Sequence, residues 1–418
     1  MRIGILSQWF DPEPGPAAIP GVLAREFAAA GHEVSVLTGF PNYPTGRLYP
    51  GFKQRWRQTT QTGGITITRV PLVASHDSSA LRRAANYVSF ALSATLFGGK
   101  ALRGCDVVWV YNSPVSVALP LSVHTHDGRL PYFLHVQDLW PDSLAHSGMF
   151  PEGRSGRVAL SVISKVVAHM ERRAHCIGVI SPSVVDLITQ RNTAVSRDRI
   201  HYVPNPTDEE LFRPSQPLPR TIGEPFVLMY SGALGDVQGL DTVIRAVAAL
   251  PTAVDLRLVL VGDGIARQRL EALAAELDLT GRIKFVGRVE KSRVPELMHK
   301  AHAHLVSLAP SGFLEHTTPS KIPSLLASSA AILGVIAGDG ARLILESGAG
   351  PVVSPGDEGA LGAALVSMAR MSTEELASLG ASGRRHYDLN FSAAHVAAII
   401  LGEMSPDLPP TQATKDLS

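Results

Sequence analysis

Cysteine is nearly missing from this chain: Cys105 and Cys176 are the only two in 418 residues, too few for the disulfide framework of a small secreted domain. Long apolar runs are scarce as well. The best of them, Tyr87–Phe97, falls short of the roughly 18 to 20 residues that cross a bilayer and runs into Lys100 and Arg103. The N-terminus enters a strand-like stretch directly, without a basic leader and cleavage site. These absences point to a cytoplasmic protein with no transmembrane segment. An excess of one charge is also lacking, since 38 Lys+Arg against 37 Asp+Glu leave a net +1. With 45% hydrophobic and 18% charged residues, disorder and nonspecific nucleic-acid binding are disfavoured. Three sharp motifs are absent too: no strand leads into G-x-G-x-x-G, and neither G-x-x-x-x-G-K-[ST] nor H-E-x-x-H occurs. A dehydrogenase or a P-loop ATPase is thereby disfavoured.

What is present is a regular alternation of short Val/Ile-rich runs with helical patterns, the mark of βαβ units and parallel sheets. Strands are expected over 2–7, 33–38, 66–73, 107–111, 132–136, 176–180 and 200–203. A second series is expected over 227–231, 256–262, 283–286, 303–306, 331–335 and 350–353. Between the two series, Pro204 to Pro225 holds six prolines and no long apolar run, as a linker would. The expectation is an α/β protein of two doubly wound parallel-sheet domains, 1–205 and 226–385, joined by a linker at 206–225. A terminal helix in 386–404 and a disordered tail at 405–418 complete it. The halves differ in charge, +7 over 1–205 and −6 over 206–418, which suggests different partners. Ligands of such sheets bind beyond the carboxyl ends of the strands, so the site is expected between the domains.

Several stretches carry candidate chemistry. The first strand leads into Ser7–Pro16, a proline-rich loop in which Gly15 precedes a helix expected over 17–30, where a phosphate or sugar can approach the backbone. Thr317 and Thr318 before Pro319 read as N-caps of a helix, with Lys321 adding a cation, an anion-binding design suited to a diphosphate. His299, His302 and His304 have near-ligand spacing but straddle a helix end and a strand, without an acidic or Cys partner nearby in sequence. They read as surface or hydrogen-bonded histidines, and no metal site is expected.

The order of Gly31-His32-Glu33-Val34, His135-Val136-Gln137-Asp138-Leu139-Trp140-Pro141-Asp142-Ser143, Val203-Pro204-Asn205 and Glu210-Leu211-Phe212 resembles the family 4 retaining glycosyltransferases. In the second half Tyr230-Ser231-Gly232-Ala233-Leu234-Gly235, Gln238-Gly239-Leu240, Val261-Gly262-Asp263-Gly264, Phe285-Val286-Gly287-Arg288-Val289 and Pro319-Ser320-Lys321 continue the likeness. Pro41-Asn42-Tyr43-Pro44 and Asp138-Leu139-Trp140-Pro141 are similar to the WbuB-like branch of colanic-acid or O-antigen transferases.

The resemblance implies a GT-B fold and a metal-independent, cofactor-free transfer from a UDP- or GDP-sugar, with retention and front-side attack. The leaving diphosphate is then stabilised by backbone N–H groups and cations. It implies Asp138 and Lys321 as the catalytic pair. Donor contacts fall on Gly15, Gly232, Gln238, Gly262, Val286, Arg288, His316, Thr317, Thr318, Pro319, Ser320 and Ser324, with the base near Val286–Val289. Acceptor contacts fall on Trp9, Asn42, Tyr43 and Gln137.

Three positions depart from the family pattern. A Glu-x7-Glu pair is replaced by His316 and Ser324, with Glu315 one residue out of register. Phosphate-gripping Arg and Lys are replaced by Ala233 and Gln238, and a histidine before the Asp of the Trp-Pro stretch is replaced by Gln137. Polysaccharide and specialised-metabolite (antibiotic) biosynthesis both fit, with a lipid-linked, small soluble or thiol acceptor. A peripheral membrane contact of the basic first domain is expected, and nucleic acid is not. An epimerase acting on a sugar nucleotide and a non-catalytic binding protein are the alternatives of other classes.

Overall fold

The computed structural model describes residues 1–75, 79–125, 130–145, 153–216, 218–221 and 223–405. Its chain forms two compact units, one of residues 1–206 with those from Ala393 on, the other Thr207–Ser392.

The first unit is built on an eight-stranded sheet of order β3-β4-β2-β1-β5-β6-β7-β8. Its strands are β1 (Arg2–Leu6), β2 (Glu33–Gly39), β3 (Gln58–Thr62), β4 (Ile65–Val70), β5 (Val107–Tyr111), β6 (Tyr132–Val136), β7 (Cys176–Val179) and β8 (Ile200–Tyr202). All pairings are parallel except β3 with β4. β5 and β6 are buried at every position, which is why they read as continuous apolar runs rather than alternating ones. The sequence pattern missed β3, because Gln-Thr-Thr-Gln-Thr is a polar, exposed edge strand with no apolar face.

The second unit has a six-stranded sheet of order β11-β10-β9-β12-β13-β14. Here β9 is Phe226–Ser231, β10 Leu256–Val261, β11 Ile283–Gly287, β12 Ala303–Ser307, β13 Ile332–Val335 and β14 Val352–Val353. Every pairing is parallel. Helices cover both faces, and the two main cores gather around Leu228, Val243 and Leu258 on one side and Ile322, Leu326 and Ile344 on the other.

The stretch read as a linker is folded onto the second unit. Phe212 is buried in its core, Thr207 Oγ1 lies 2.7 Å from Ser324 Oγ, and Arg220 donates to the carbonyl of Ala369 at 2.8 Å. Its prolines fix an extended path over the surface rather than a free tether. The helix Thr373–Asn390 stays with the second unit. The last helix, Ala393–Met404, starts seven residues after the expected segment begins and ends where that segment ends. It belongs to the first unit, where Val396, Ala397, Ile400 and Met404 join Ile3, Phe27 and Trp109 in one core. The tail expected to be disordered lies, beyond Ser405, outside the described residues.

Candidate functional site

Two groups of residues collect at the carboxyl ends of the strands, one in each unit. In the second unit β9 ends in the exposed loop Gly232-Ala233, and β10 turns at Gly262. Gly232 has φ +151° and Gly262 φ +142°. A Cβ on Gly262 would stand 1.8 Å from the carbonyl oxygen of Gly232, so only glycine lets the two strand ends lie this close. Tyr230 braces the turn by donating its hydroxyl to the Ala233 carbonyl at 2.8 Å.

Over this bare backbone lies the ammonium of Lys321. Its Nζ is 3.7 Å from the centroid of the Tyr230 ring, and a Cβ on Gly232 would meet it at 3.1 Å. Burial pushes the Lys321 ammonium down to about 7. Among the described residues no carboxylate pairs with it, so burial is not offset by a counter-charge.

The other donor positions sort by what holds them. Gln238 is turned inward: its Oε1 accepts from the Gly235 N–H at 3.0 Å, and its carbonyl accepts from Ser307 Oγ at 2.7 Å. It shapes the loop that the family's cations would otherwise occupy. Val286 and Arg288 are exposed at the end of edge strand β11, with no ion pair on Arg288 among the described residues.

The expected caps at Thr317 and Thr318 are not formed. The helix begins at Lys321, Ser320 is the N-cap without a side-chain hydrogen bond, and Thr317 closes the turn Leu314–His316. Pro319 excludes helical backbone at Thr318, so the helix starts after it. At seven residues, Lys321–Ala327, this helix offers little dipole, and the cation matters more than the helix end. Ser324 faces Thr207, and Glu315 is exposed. His302 accepts the Val227 N–H at 2.8 Å and stacks on Phe226, while His304 is buried and pushed down to about 4 by its surroundings.

In the first unit Gly15 has φ +72° with open space where a Cβ would point. It begins a single 3-10 turn, Gly15–Ala18, that leads into the helix Ile19–Ala29. Trp9 and Tyr43 set their rings 5.5 Å apart. What holds them is a residue the sequence did not single out, Glu13. Only 2% exposed, its carboxylate accepts from the N–H groups of Asn42 at 2.7 Å, Tyr43 at 2.8 Å and Phe10 at 3.1 Å. Burial outweighs these three donors and pushes its carboxyl up to about 7.

Asn42, expected to touch an acceptor, is 2% exposed and spends its amide in a buried chain. Gln8 donates to Asn86 at 2.6 Å, Asn86 to Asn42 at 3.1 Å, and Asn42 to the Phe40 carbonyl at 3.1 Å. Its side-chain amide is thus committed to Asn86 and Phe40. Gln137 is likewise paired, its amide exchanging hydrogen bonds with that of Asn205.

Asp138 accepts from Ser113 Oγ at 2.6 Å. Burial raises its carboxyl, with the Ser113 bond opposing. Its charge is felt by the phenols of Tyr87 and Tyr111, so β6, β5 and the helix Ala80–Phe97 converge on it. Its carboxylate also meets the side chain of Trp140 in the turn that follows, which together with Ser113 opposes the upward shift.

Raised folded-state pKa at Glu13 makes a pH prediction. Its contribution to stability is complete below the unfolded value of 4.5 and is lost as pH climbs to about 7. Denaturant midpoints should therefore fall across that window by an amount equivalent to about 3 kcal/mol. Glu13→Gln should remove this part of the slope, and a slope unchanged in the variant would exclude Glu13 as its source.

Two units, each a doubly wound and mainly parallel sheet, make the α/β architecture of a two-unit enzyme of the GT-B fold. Residues 15–206 match the model of the "Glycosyl transferase 4-like domain" and 215–379 that of "Glycosyl transferases group 1". The chain belongs to the family 4 glycosyltransferases, enzymes of the GT-B fold. It is 26% identical over 348 residues to WcaI of Escherichia coli (strain K12), named as a colanic acid biosynthesis glycosyl transferase, with 78% of this chain and 81% of that one covered. Among solved structures it resembles sucrose-phosphate synthase of Thermosynechococcus elongatus (17% identity, TM-score 0.67, 96% and 97% of the two chains). HepE of Anabaena in complex with UDP-glucose is similar as well (16%, 0.65, 96% and 98%).

Proposed function

We propose that this glycosyltransferase moves a sugar, with retention, from a UDP- or GDP-sugar to a lipid-linked acceptor in polysaccharide assembly. One observation carries the donor half: the unpaired ammonium of Lys321 over the exposed Gly232 backbone. A diphosphate placed there supplies the missing charge and receives charge-assisted hydrogen bonds as its negative charge grows during departure. The complex of HepE with UDP-glucose supports a nucleotide sugar as the donor class.

Asp138 fits the acceptor half. Held by Ser113 and within electrostatic reach of Tyr87 and Tyr111, it can orient an attacking hydroxyl by accepting its proton in a hydrogen bond. In a front-side attack the leaving phosphate takes that proton, so Asp138→Asn should lower kcat by about 10- to 100-fold while leaving nucleotide affinity unchanged. Wild-type turnover in a folded Asp138→Asn protein would reduce Asp138 to a structural partner of Ser113.

The lipid-linked acceptor is favoured by three adjoining helices of the first unit. Leu81, Val88, Leu92 and Leu96 are exposed on Ala80–Phe97, Leu119 and Val123 on Ala118–His124, and Val158, Val162 and Val166 on Arg154–Arg173. Trp56 is 73% exposed and packs on Phe97, flanked by Lys53, Arg55 and Arg57. Apolar stripes beside basic residues suit an anionic membrane surface, and no described helix is long and apolar enough to cross one.

Incubating the protein with UDP-, GDP- and dTDP-sugars in EDTA, with and without polyprenyl-diphosphate sugar, tests the reading. Transfer in chelator that needs the lipid acceptor and keeps the anomeric configuration is expected. Activity that requires added magnesium or manganese would overturn metal independence. Sugar interconversion without acceptor would identify an epimerase.

A further inference from the structure

We propose that Cys176, His201 and Glu403 form a zinc site that fastens the last helix to the sheet of the first unit. The three come from β7, from β8 and from the last turn of Ala393–Met404, separated by up to 227 residues in sequence. Their Sγ, imidazole nitrogen and carboxylate oxygen all lie within 4.8 Å of one another. The His201 Nε2 is 3.2 Å from Glu403 Oε2, and Cys176 Sγ is 3.3 Å from the Glu403 carbonyl oxygen. In a tetrahedral zinc site, thiolate, imidazole and carboxylate ligand atoms stand about 3.3 to 3.6 Å apart, so closure needs only side-chain adjustment.

The donor set favours zinc over the hard cations. A thiolate and an imidazole are borderline-soft ligands, whereas calcium and magnesium take oxygen. Thiolate and carboxylate together neutralise a divalent ion, which leaves no net charge in a pocket where Cys176 is 7% exposed. His201 and Glu403 are partly exposed, giving the ion a way in and a water the fourth position. Without a metal, burial and then Glu403 push the Cys176 thiol up to about 11, opposed by Arg199, whose guanidinium is engaged with the carbonyls of Arg172, Ala174 and His175. Binding expels the thiol proton to solvent as the sulfur–metal bond forms. The site is remote in role from transfer: none of its residues is among those placed around donor or acceptor, so it stands or falls independently of the proposed function.

Cobalt(II) titrated into the reduced, metal-stripped, tag-free full chain should give a thiolate-to-cobalt charge-transfer band that saturates at one equivalent and is displaced by zinc. The band should vanish in Cys176→Ser and persist in Cys105→Ser. His201→Gln and Glu403→Gln should each weaken zinc binding by roughly tenfold or more, and zinc should raise Tm in the wild type but not in Glu403→Gln. If Cys176→Ser does not fold, the two partly exposed positions still decide the matter. A missing cobalt–thiolate band, or wild-type zinc affinity in both His201→Gln and Glu403→Gln, would overturn the site.

Discussion

Lys321→Ala should weaken UDP or GDP binding by about 5- to 150-fold at pH 7, the equivalent of roughly 1 to 3 kcal/mol for a charge-assisted contact. The loss should come with a change of pH dependence that a packing defect would not produce. In the free protein the ammonium titrates near 7, and an adjacent diphosphate raises that value by favouring the charged form. Below about 7 the lysine is already protonated and binding takes up no proton. Above it, each binding event must capture one, so affinity should fall by up to tenfold per pH unit between 7 and the pKa of the complex. Lys321→Met keeps the stem against Tyr230 and should show flat affinity over pH 7 to 9. Isothermal titration in buffers of different ionisation enthalpy would count the proton directly. Wild-type affinity in both variants, or no proton uptake at pH 8, would remove Lys321 from the donor site.

Ile400→Ala should cost about 2 to 5 kcal/mol, since Ile400 is fully buried among Ile3, Phe27 and Trp109. In a protein of this size that corresponds to roughly 5 to 15 °C in the melting of the first unit. Removing the whole helix Ala393–Met404 would also uncover Val396, Ala397 and Met404, a loss beyond ordinary domain stability. The damage should appear as a lower melting transition with UDP affinity retained, because Lys321 and the Gly232–Gly262 turn belong to Thr207–Ser392. A change below about 1 kcal/mol would show that the helix is not part of that core.

The sheets were legible because their buried strands are runs such as Val-Val-Trp-Val-Tyr and Tyr-Phe-Leu-His-Val, whose apolar content needs no partner to be recognised. β3 was hidden for the opposite reason, as an edge held only by backbone pairing. Lys321 was visible from its position after the Pro-Ser step. Its lack of a counter-charge was not, because that depends on Tyr230 and Gly232, about ninety residues away. Glu13, set between two prolines, reads as part of a stiff loop until the N–H groups of Asn42 and Tyr43 are seen to converge on it. Asn42 shows the limit from the other side: a motif residue can earn its place by holding a neighbour. The cluster of Cys176, His201 and Glu403 left no local spacing to find.

The return of the last helix to the first unit also sets an order on the ribosome. When Pro206 has emerged, the first unit still lacks the side chains of Val396, Ala397, Ile400 and Met404 from its core. The whole of Thr207–Ser392 is made before they arrive, and it can complete its own cores in the meantime. The first unit is thus finished only after the second has been synthesised. Until then its open core is the surface a chaperone would have to cover.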